Sequence, residues 1–407
     1  MKILYVVTKF PNLSESFVIN EIYELCTRGH EVFVFSLTDS QETISHSEYR
    51  DLDIPIQYGE SPSYSSLPEL FSAEVVSSKV LREALFWDNP LKHARWLHIG
   101  KQISKFVDEV GGVDVIHSHF AAPNRLSVVY AAAYQEVPCT VTAHAHEIFS
   151  PNDVGRLKRV CSRFNHIVVP SKYNREYLTK KMDVETDMTV VPATTRVDKF
   201  EASEGCISGR LLSVGRLVEK KGYKYAIESV AELVNQNYEV EYHIVGTGEQ
   251  GDYLREQVRH HGIEDYVSFL GHVSDETLQK ELHEAELFIL PCVIASNGDR
   301  DVAPVALKEA MATQTACIAT YISAIPELIR DGHDGILVNP NDTAALVDAL
   351  ASLLEDPNRR KEIAANGRET VEDKFDISQT VDKLVGVFQS CIRSHDGHGA
   401  AEAIQSD

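Results

Sequence analysis

The sequence predicts an α/β protein made of two Rossmann-like domains facing a cleft. Short apolar runs of strand length recur along the chain, separated by segments with helical spacing. The pattern begins again after the polar stretch FEASEGCIS at residues 200–208. Each half opens in the order strand, loop, helix, strand, which is the start of a doubly wound parallel sheet.

Residues 3–7 are the first apolar run and read as a buried parallel strand. Residues 8–14 form a loop, in which Asn12 or Ser14 can cap the helix that follows. Over residues 15–28 Phe17, Ile22 and Leu25 fall at helical spacing, and Gly29 ends the helix. Residues 31–37 make the second strand, with others at 114–117, 139–143, 167–170 and 189–192. In the second half a helix is expected over 223–235 and strands over 211–214, 241–245, 268–270, 287–290, 316–319 and 335–338. The domains expected are 1–200 and 201–375, with a helix over 376–393 crossing back to the first and a disordered polar tail over 394–407. Residues 61–106 show no clear alternation and hold both tryptophans, Trp87 and Trp96.

A net charge of −22 argues against nucleic acid as a partner. The seven cysteines are scattered without a Cys-x-x-Cys pair, as expected of reduced thiols in the cytoplasm. The first ten residues do not make a signal peptide, and no run approaches the ~20 apolar residues of a spanning helix. A cytoplasmic protein is expected, with a peripheral membrane contact through the basic segment from Lys79 to Lys105. A second basic segment, from Arg156 to Lys181, carries an apolar stripe of Leu157, Val160, Cys161 and Phe164 that reads as core-facing.

The motifs cluster after strands. SVGRLVEKKG places Gly215, Arg216 and Lys221 where an arginine fork and an ammonium group can face a diphosphate. GTGEQ puts Gly246 and Gly248 where backbone can approach a nucleotide. GDRDVAPVALKEAMA brings Asp301, Val302, Ala303 and Pro304 to a loop before a small-residue helix, whose first N–H groups favour anions. Glu309 lies on that helix, where a carboxylate can accept from a ribose diol. Asp299 and Asp301 also read as an Asp-x-Asp metal motif, although Arg216 and Lys221 already supply positive charge. His144 stands at a strand's carboxyl end. The pairs His117/His119 and His144/His146 lack the spacing of a known metal site.

The order Gly-Arg…Lys, Gly-x-Gly, acid-x-x-Pro…Glu resembles the donor domain of retaining glycosyltransferases of family 4, which have the GT-B fold. Asp301 and Val302 depart from its usual Glu-Gly. The loop Thr8–Phe17, Asn20-Glu21 and HSHFA at 117–121 resemble the colanic-acid type of capsule and exopolysaccharide enzymes. The resemblance implies a sugar moved from a nucleotide-sugar to a glycan or polyprenyl-linked acceptor with retention of configuration, and no metal or other cofactor. It implies that Arg216 and Lys221 hold the diphosphate and Glu309 the ribose. Asp301 would take a sugar hydroxyl, His144 would line the donor–acceptor junction, and Ser14 and Glu15 would face the acceptor. A degenerate relative that only binds a nucleotide or a partner is the alternative. An epimerase or phosphorylase on the same fold is a further one, without a visible pyridoxal-phosphate lysine or sugar-phosphate site.

Overall fold

The computed structural model describes residues 1–12, 15–39, 47–60, 90–149, 154–203 and 205–405. The first sheet has seven strands in the order β3-β2-β1-β4-β5-β6-β7, all parallel. They are β1 (Lys2–Phe10), β2 (Glu31–Asp39), β3 (Ile56–Tyr58), β4 (Val115–His119), β5 (Cys139–Thr142), β6 (His166–Val169) and β7 (Met188–Val190). The second sheet is β10-β9-β8-β11-β12-β13. Its strands are β8 (Arg210–Val214), β9 (Glu241–Val245), β10 (Val267–Gly271), β11 (Leu287–Leu290), β12 (Ala316–Thr320) and β13 (Ile336–Val338).

The apolar run at the start of the chain is continuous because helices cover both faces of its sheet. Leu4 and Val6 point into one core with Ile116, Val141 and Ile148. Ile3, Tyr5 and Val7 point into another with Val18, Ile22 and Phe388. A period of two thus divides one strand between two cores. Each fully buried aliphatic side chain contributes about 2 kcal/mol by leaving water.

Four helices position the site: α1 (Ser16–Thr27), α2 (Lys172–Met182), α3 (Val305–Ala312) and α4 (Ile377–Gln405). Val381, Leu384, Phe388 and Cys391 of α4 pack on the first sheet's core, and Asp382 pairs with Arg28 of α1. The end of the chain therefore clasps the domain that begins it.

Four sequence expectations change. Residues 394–405 continue α4 rather than forming a disordered tail, since Ala400, Ala401 and Ala403 are strong helix formers. Strand β3 was not expected: it is three residues long, at the sheet edge, and Gln57 interrupts its apolar character. Glu15, not Asn12, is the N-cap position of α1, and it makes no side-chain cap hydrogen bond. Ser14, Trp87 and the first part of the Lys79–Lys105 segment lie outside the described residues. Trp96, in the rest of that segment, is buried with Leu97, Leu126 and Tyr130, so packing and not a membrane interface occupies its ring. The stripe Leu157, Val160, Cys161 and Phe164 is buried in the first domain's core.

Candidate active site

In each sheet the strand order reverses beside the half's first strand, between β1 and β4 and between β8 and β11. Ligands of such sheets bind beyond the carboxyl ends of the strands at that point. His117 and His119 end β4, and His144 follows β5. Residues 215–222 follow β8 and residues 291–304 follow β11.

The loop after β11 brings Asp301 to the lysines after β8. Lys221 Nζ lies 2.7 Å from Asp301 Oδ2, and Lys220 Nζ lies 3.4 Å from Asp301 Oδ1. Burial pushes the Asp301 carboxyl up, but the two ammonium groups outweigh it and hold it at about 2. Burial pulls Lys221 down while Asp301 pulls it up, and the net direction is up. Both groups are therefore charged at neutral pH. Lys220 also pairs with Asp299 at 3.1 Å, so each carboxylate of the Asp-x-Asp triplet already has a lysine partner. Arg216 differs. It is exposed, and its guanidinium has no ion pair among the described residues.

Gly246 and Gly248 meet backbone before they meet any ligand. A Cβ on Gly246 would lie 2.1 Å from Gly215 O, and one on Gly248 would lie 2.4 Å from Leu217 O. The glycines let the loops after β8 and β9 touch, which the Leu217 N–H donating to Thr247 O at 2.9 Å then fixes. Tyr223 Oη donates to Gly215 O at 2.9 Å, behind the same turn.

Val302 is buried in the first domain's core cluster, with Ala324 beside it and Ala303 packed against it. The side chain that replaces the family's usual glycine is thus an apolar peg between the domains. Pro304 is the N-cap of α3, and Lys308 in its second turn is fully buried. Lys308 Nζ donates to Ala303 O at 2.8 Å, and burial pulls the amine down to about 7. Glu309 lines a small cavity with Ser16 and Asn20 of α1 and with Lys199 and Asp275.

On the first-domain side His144 is partly exposed, and its ring lies against Phe17 and Phe120 at 4.8 and 4.6 Å between centres. Phe120 has φ of 66°, a left-handed conformation that bulky residues rarely adopt and that marks functional turns. Glu147 Oε1 accepts from His144 N at 2.6 Å and Ala121 N at 3.0 Å, tying the turns after β4 and β5 together. Arg125 is fully buried and donates to His119 O at 2.8 Å and Thr8 Oγ1 at 2.6 Å. Burial lowers it to about 10, while Glu15 and Glu147 favour its charge.

The domains touch directly over this cleft. Glu327 accepts from the Lys172 and Tyr173 amides at 3.0 and 2.7 Å, capping α2 of the opposite domain. Ser171 caps the next free amide, that of Asn174. His146 Nδ1 lies 3.4 Å from Asp299 Oδ2, and the Arg300 guanidinium sits 5.0 Å from the centre of the Phe149 ring.

The structure therefore gathers Gly215, Arg216, Lys221, Asp301, Val302, Ala303 and Pro304 around the turns after β8 and β11, with Glu309 one helix further on. His144 stands across the cleft, and Glu15 near Arg125. Sequence reasoning missed Arg125 and Lys308. Each is a charged residue inside an otherwise ordinary helix or turn, and only burial sets it apart.

Two parallel-sheet domains with their switch points on a shared cleft make the GT-B architecture. Residues 14–198 match the family model described as Glycosyltransferase Family 4, and residues 208–370 match that of Glycosyl transferases group 1. The chain belongs to these glycosyltransferases. It is 26% identical to a putative colanic acid biosynthesis glycosyltransferase, WcaL, of Salmonella typhimurium, over 96% of this chain and 100% of that one. It is also 26% identical to the amylovoran biosynthesis glycosyltransferase AmsK of Erwinia amylovora, over 92% of this chain and 96% of the other. Among solved structures it resembles HepE of Anabaena in complex with UDP, with a TM-score of 0.73 at 18% identity, covering 96% of this chain and all of HepE. A glycosyltransferase from Rickettsia africae gives a TM-score of 0.73 at 16% identity, over 96% of this chain and 98% of that one. No helix among the described residues is long and apolar enough to cross a membrane.

Proposed function

We propose that the protein moves a hexose from a nucleoside-diphosphate sugar to a hydroxyl of a growing exopolysaccharide, carried on a polyprenyl lipid at the cytoplasmic membrane face, with retention of configuration. The observation that carries this is the Arg216–Lys221–Asp301 arrangement. Arg216 has no ion pair among the described residues, and Lys221 is a second cation that Asp301 holds in place. An entering diphosphate meets two positive groups in a partly buried site, where charge-assisted hydrogen bonds are strong. As the bond between the anomeric carbon and the diphosphate breaks, the same groups neutralise the developing charge without having to reorganise. Asp301 takes a sugar hydroxyl, and Glu309 takes the ribose diol. Positive charge at the diphosphate comes from side chains, so no metal ion is required. WcaL and AmsK are named for colanic acid and amylovoran, which supports the exopolysaccharide acceptor. HepE has been solved with UDP-glucose, which puts uridine nucleotides first in any donor panel.

A second reading is favoured by the same ion pair. If Asp301 serves only to neutralise Lys221, the site binds a nucleotide without turning it over. A thermal-shift panel of UDP, GDP, ADP, CDP and dTDP with their sugars, with and without EDTA, tests the donor site. A ligand at 100 times its Kd stabilises by about 2.7 kcal/mol. One nucleotide series raising Tm independently of EDTA supports the proposal, and release of free nucleotide from its sugar separates the enzyme from the binder. No shift with any series removes Arg216 and Lys221 as a donor site.

A further inference from the structure

Arg300 belongs to the loop after β11 but reaches the first domain. The acids on either side of it pair with lysines, Asp299 with Lys220 at 3.1 Å and Asp301 with Lys221 at 2.7 Å. Arg300 itself makes no ion pair among the described residues. Its Nε donates to Gly298 O at 3.2 Å and its Nη1 to Tyr173 Oη at 3.4 Å, while Nη2 has no hydrogen-bond partner among the described residues. The residue is partly exposed and Nη2 is not buried, so these donors are open to solvent. The guanidinium lies 5.0 Å from the centre of the Phe149 ring. Phe149 packs in turn on Tyr173 and Tyr177 of α2, with ring centres 5.7 and 4.8 Å away, and both tyrosines are partly exposed. An aromatic wall and an open guanidinium thus stand together where the loop of the second domain meets the first.

We propose that Arg300 recognises a carboxylate carried by a sugar, so that one of the two sugars the enzyme joins is a hexuronic acid. This rests on the glycosyl-transfer reading. A carboxylate presents two oxygens in one plane, and a guanidinium presents N–H groups at the matching spacing. The diphosphate has cations of its own in Arg216 and Lys221. Arg300 precedes Asp301, the residue offered to a sugar hydroxyl, by one position. What it meets therefore lies at the sugar end of the donor or on the acceptor sugar beside it. The rings of Tyr173 and Tyr177 offer apolar surface to the C–H face of such a sugar, and their hydroxyls a polar edge.

The charges around Arg300 leave that role to it. A guanidinium drawn partly out of water without a counter-charge costs free energy. The other charged groups of the loop avoid this cost, because Lys220, Lys221, Asp299 and Asp301 satisfy one another. Phe149 offsets part of it, since a ring attracts a cation. The ring engages the charge and takes none of the N–H groups, so the fork stays available. Glu327, the acid that also reaches Tyr173, does not compete for it: both of its oxygens accept from the Lys172 and Tyr173 amides, at 3.0 and 2.7 Å. A carboxylate brought by a substrate supplies the missing partner.

The test uses the full chain in two arms at fixed ionic strength. The first compares, by calorimetric titration, UDP-glucuronic acid with UDP-glucose and UDP-galacturonic acid with UDP-galactose. The second, with UDP present and followed by nuclear magnetic resonance, compares the methyl glycosides of glucuronic and galacturonic acid with their neutral counterparts. In one arm an acid is expected to bind roughly 10- to 100-fold more tightly than its neutral partner, and Arg300→Gln to bring that ratio close to one. A preference in the first arm puts the carboxylate on the donor, and one in the second puts it on the acceptor. Wild-type ratios near one in both arms overturn the proposal, as does a preference that Arg300→Gln retains. The wild-type ratios need no variant, and a general loss of affinity in Arg300→Gln cancels from its own ratio. UDP titrated alone reads the donor site. Protein that binds no UDP counts against the uridine donor instead, and the methyl glycosides titrated without nucleotide still decide the role of Arg300.

Discussion

Asp301 Oδ2 and Lys221 Nζ lie 2.7 Å apart across the mouth of the second domain, joining the turns after β8 and β11. Lys220 completes the arrangement at 3.4 Å, so one carboxylate serves two buried ammonium groups. Replacing Asp301 with Asn keeps the size and removes the charge. Lys221 is then left short of its partner while Lys220 keeps Asp299 at 3.1 Å, at a cost of about 3 kcal/mol of stability. Chemical denaturation of Asp301→Asn measures this, and a midpoint equal to wild type would show that the pair is not a structural element. The Asp301 carboxyl is held at about 2, below its ordinary 3.8, so its contribution is complete above pH 4 and is lost only as pH falls through 2.

Arg216 predicts the opposite pattern. It is exposed and holds nothing in place, so Arg216→Ala leaves stability within about 0.5 kcal/mol of wild type. Removing its charged donors weakens binding of the matching nucleoside diphosphate by roughly 10- to 100-fold. Calorimetric titration reads the affinity, and equal affinities in the two proteins would reject Arg216 as a diphosphate ligand.

Lys308 makes stability depend on alkaline pH. Burial lowers its amine from 10.5 to about 7, so between these values the unfolded chain binds the proton and the folded one does not. Wild-type stability therefore rises with pH across that window. Lys308→Met removes the dependence, and its advantage over wild type is expected to shrink by roughly 3 kcal/mol between pH 6 and pH 10. The same variant frees Ala303 O and loosens the donor loop, so nucleotide affinity falls even where Tm rises.

Val302→Gly restores the family's usual residue and withdraws the peg from the first domain's core. Losing that buried side chain costs about 2 kcal/mol. The domains are expected to separate more readily, which small-angle scattering detects as a larger radius of gyration without ligand. Identical scattering curves would mean that Val302 does not join the domains.

The sheets were legible because parallel strands buried on both faces write themselves as unbroken apolar runs, as residues 3–7 and 287–290 do. The donor loop was legible because Gly, Arg, Lys, Pro and Glu occur there in a fixed order. Other features depend on what is folded against what. Nothing local marks Glu21 as buried, for it occupies a helix where acids are common. Gly246 suggests a ligand until Gly215 is found 2.1 Å from where its Cβ would lie. Lys308 sits in a run of small residues and looks solvated until Phe375 and Ala303 are seen to enclose it.

The carboxylate of Glu327 on the Lys172 and Tyr173 amides has a kinetic meaning. Each opening of the cleft strips α2 of its cap and hands two amides to solvent, and each closing returns them. Exchange of those two protons with deuterium is expected to quicken as the halves part. Their exchange rate is thus a clock for the enzyme's breathing, written into the backbone and readable without any substrate.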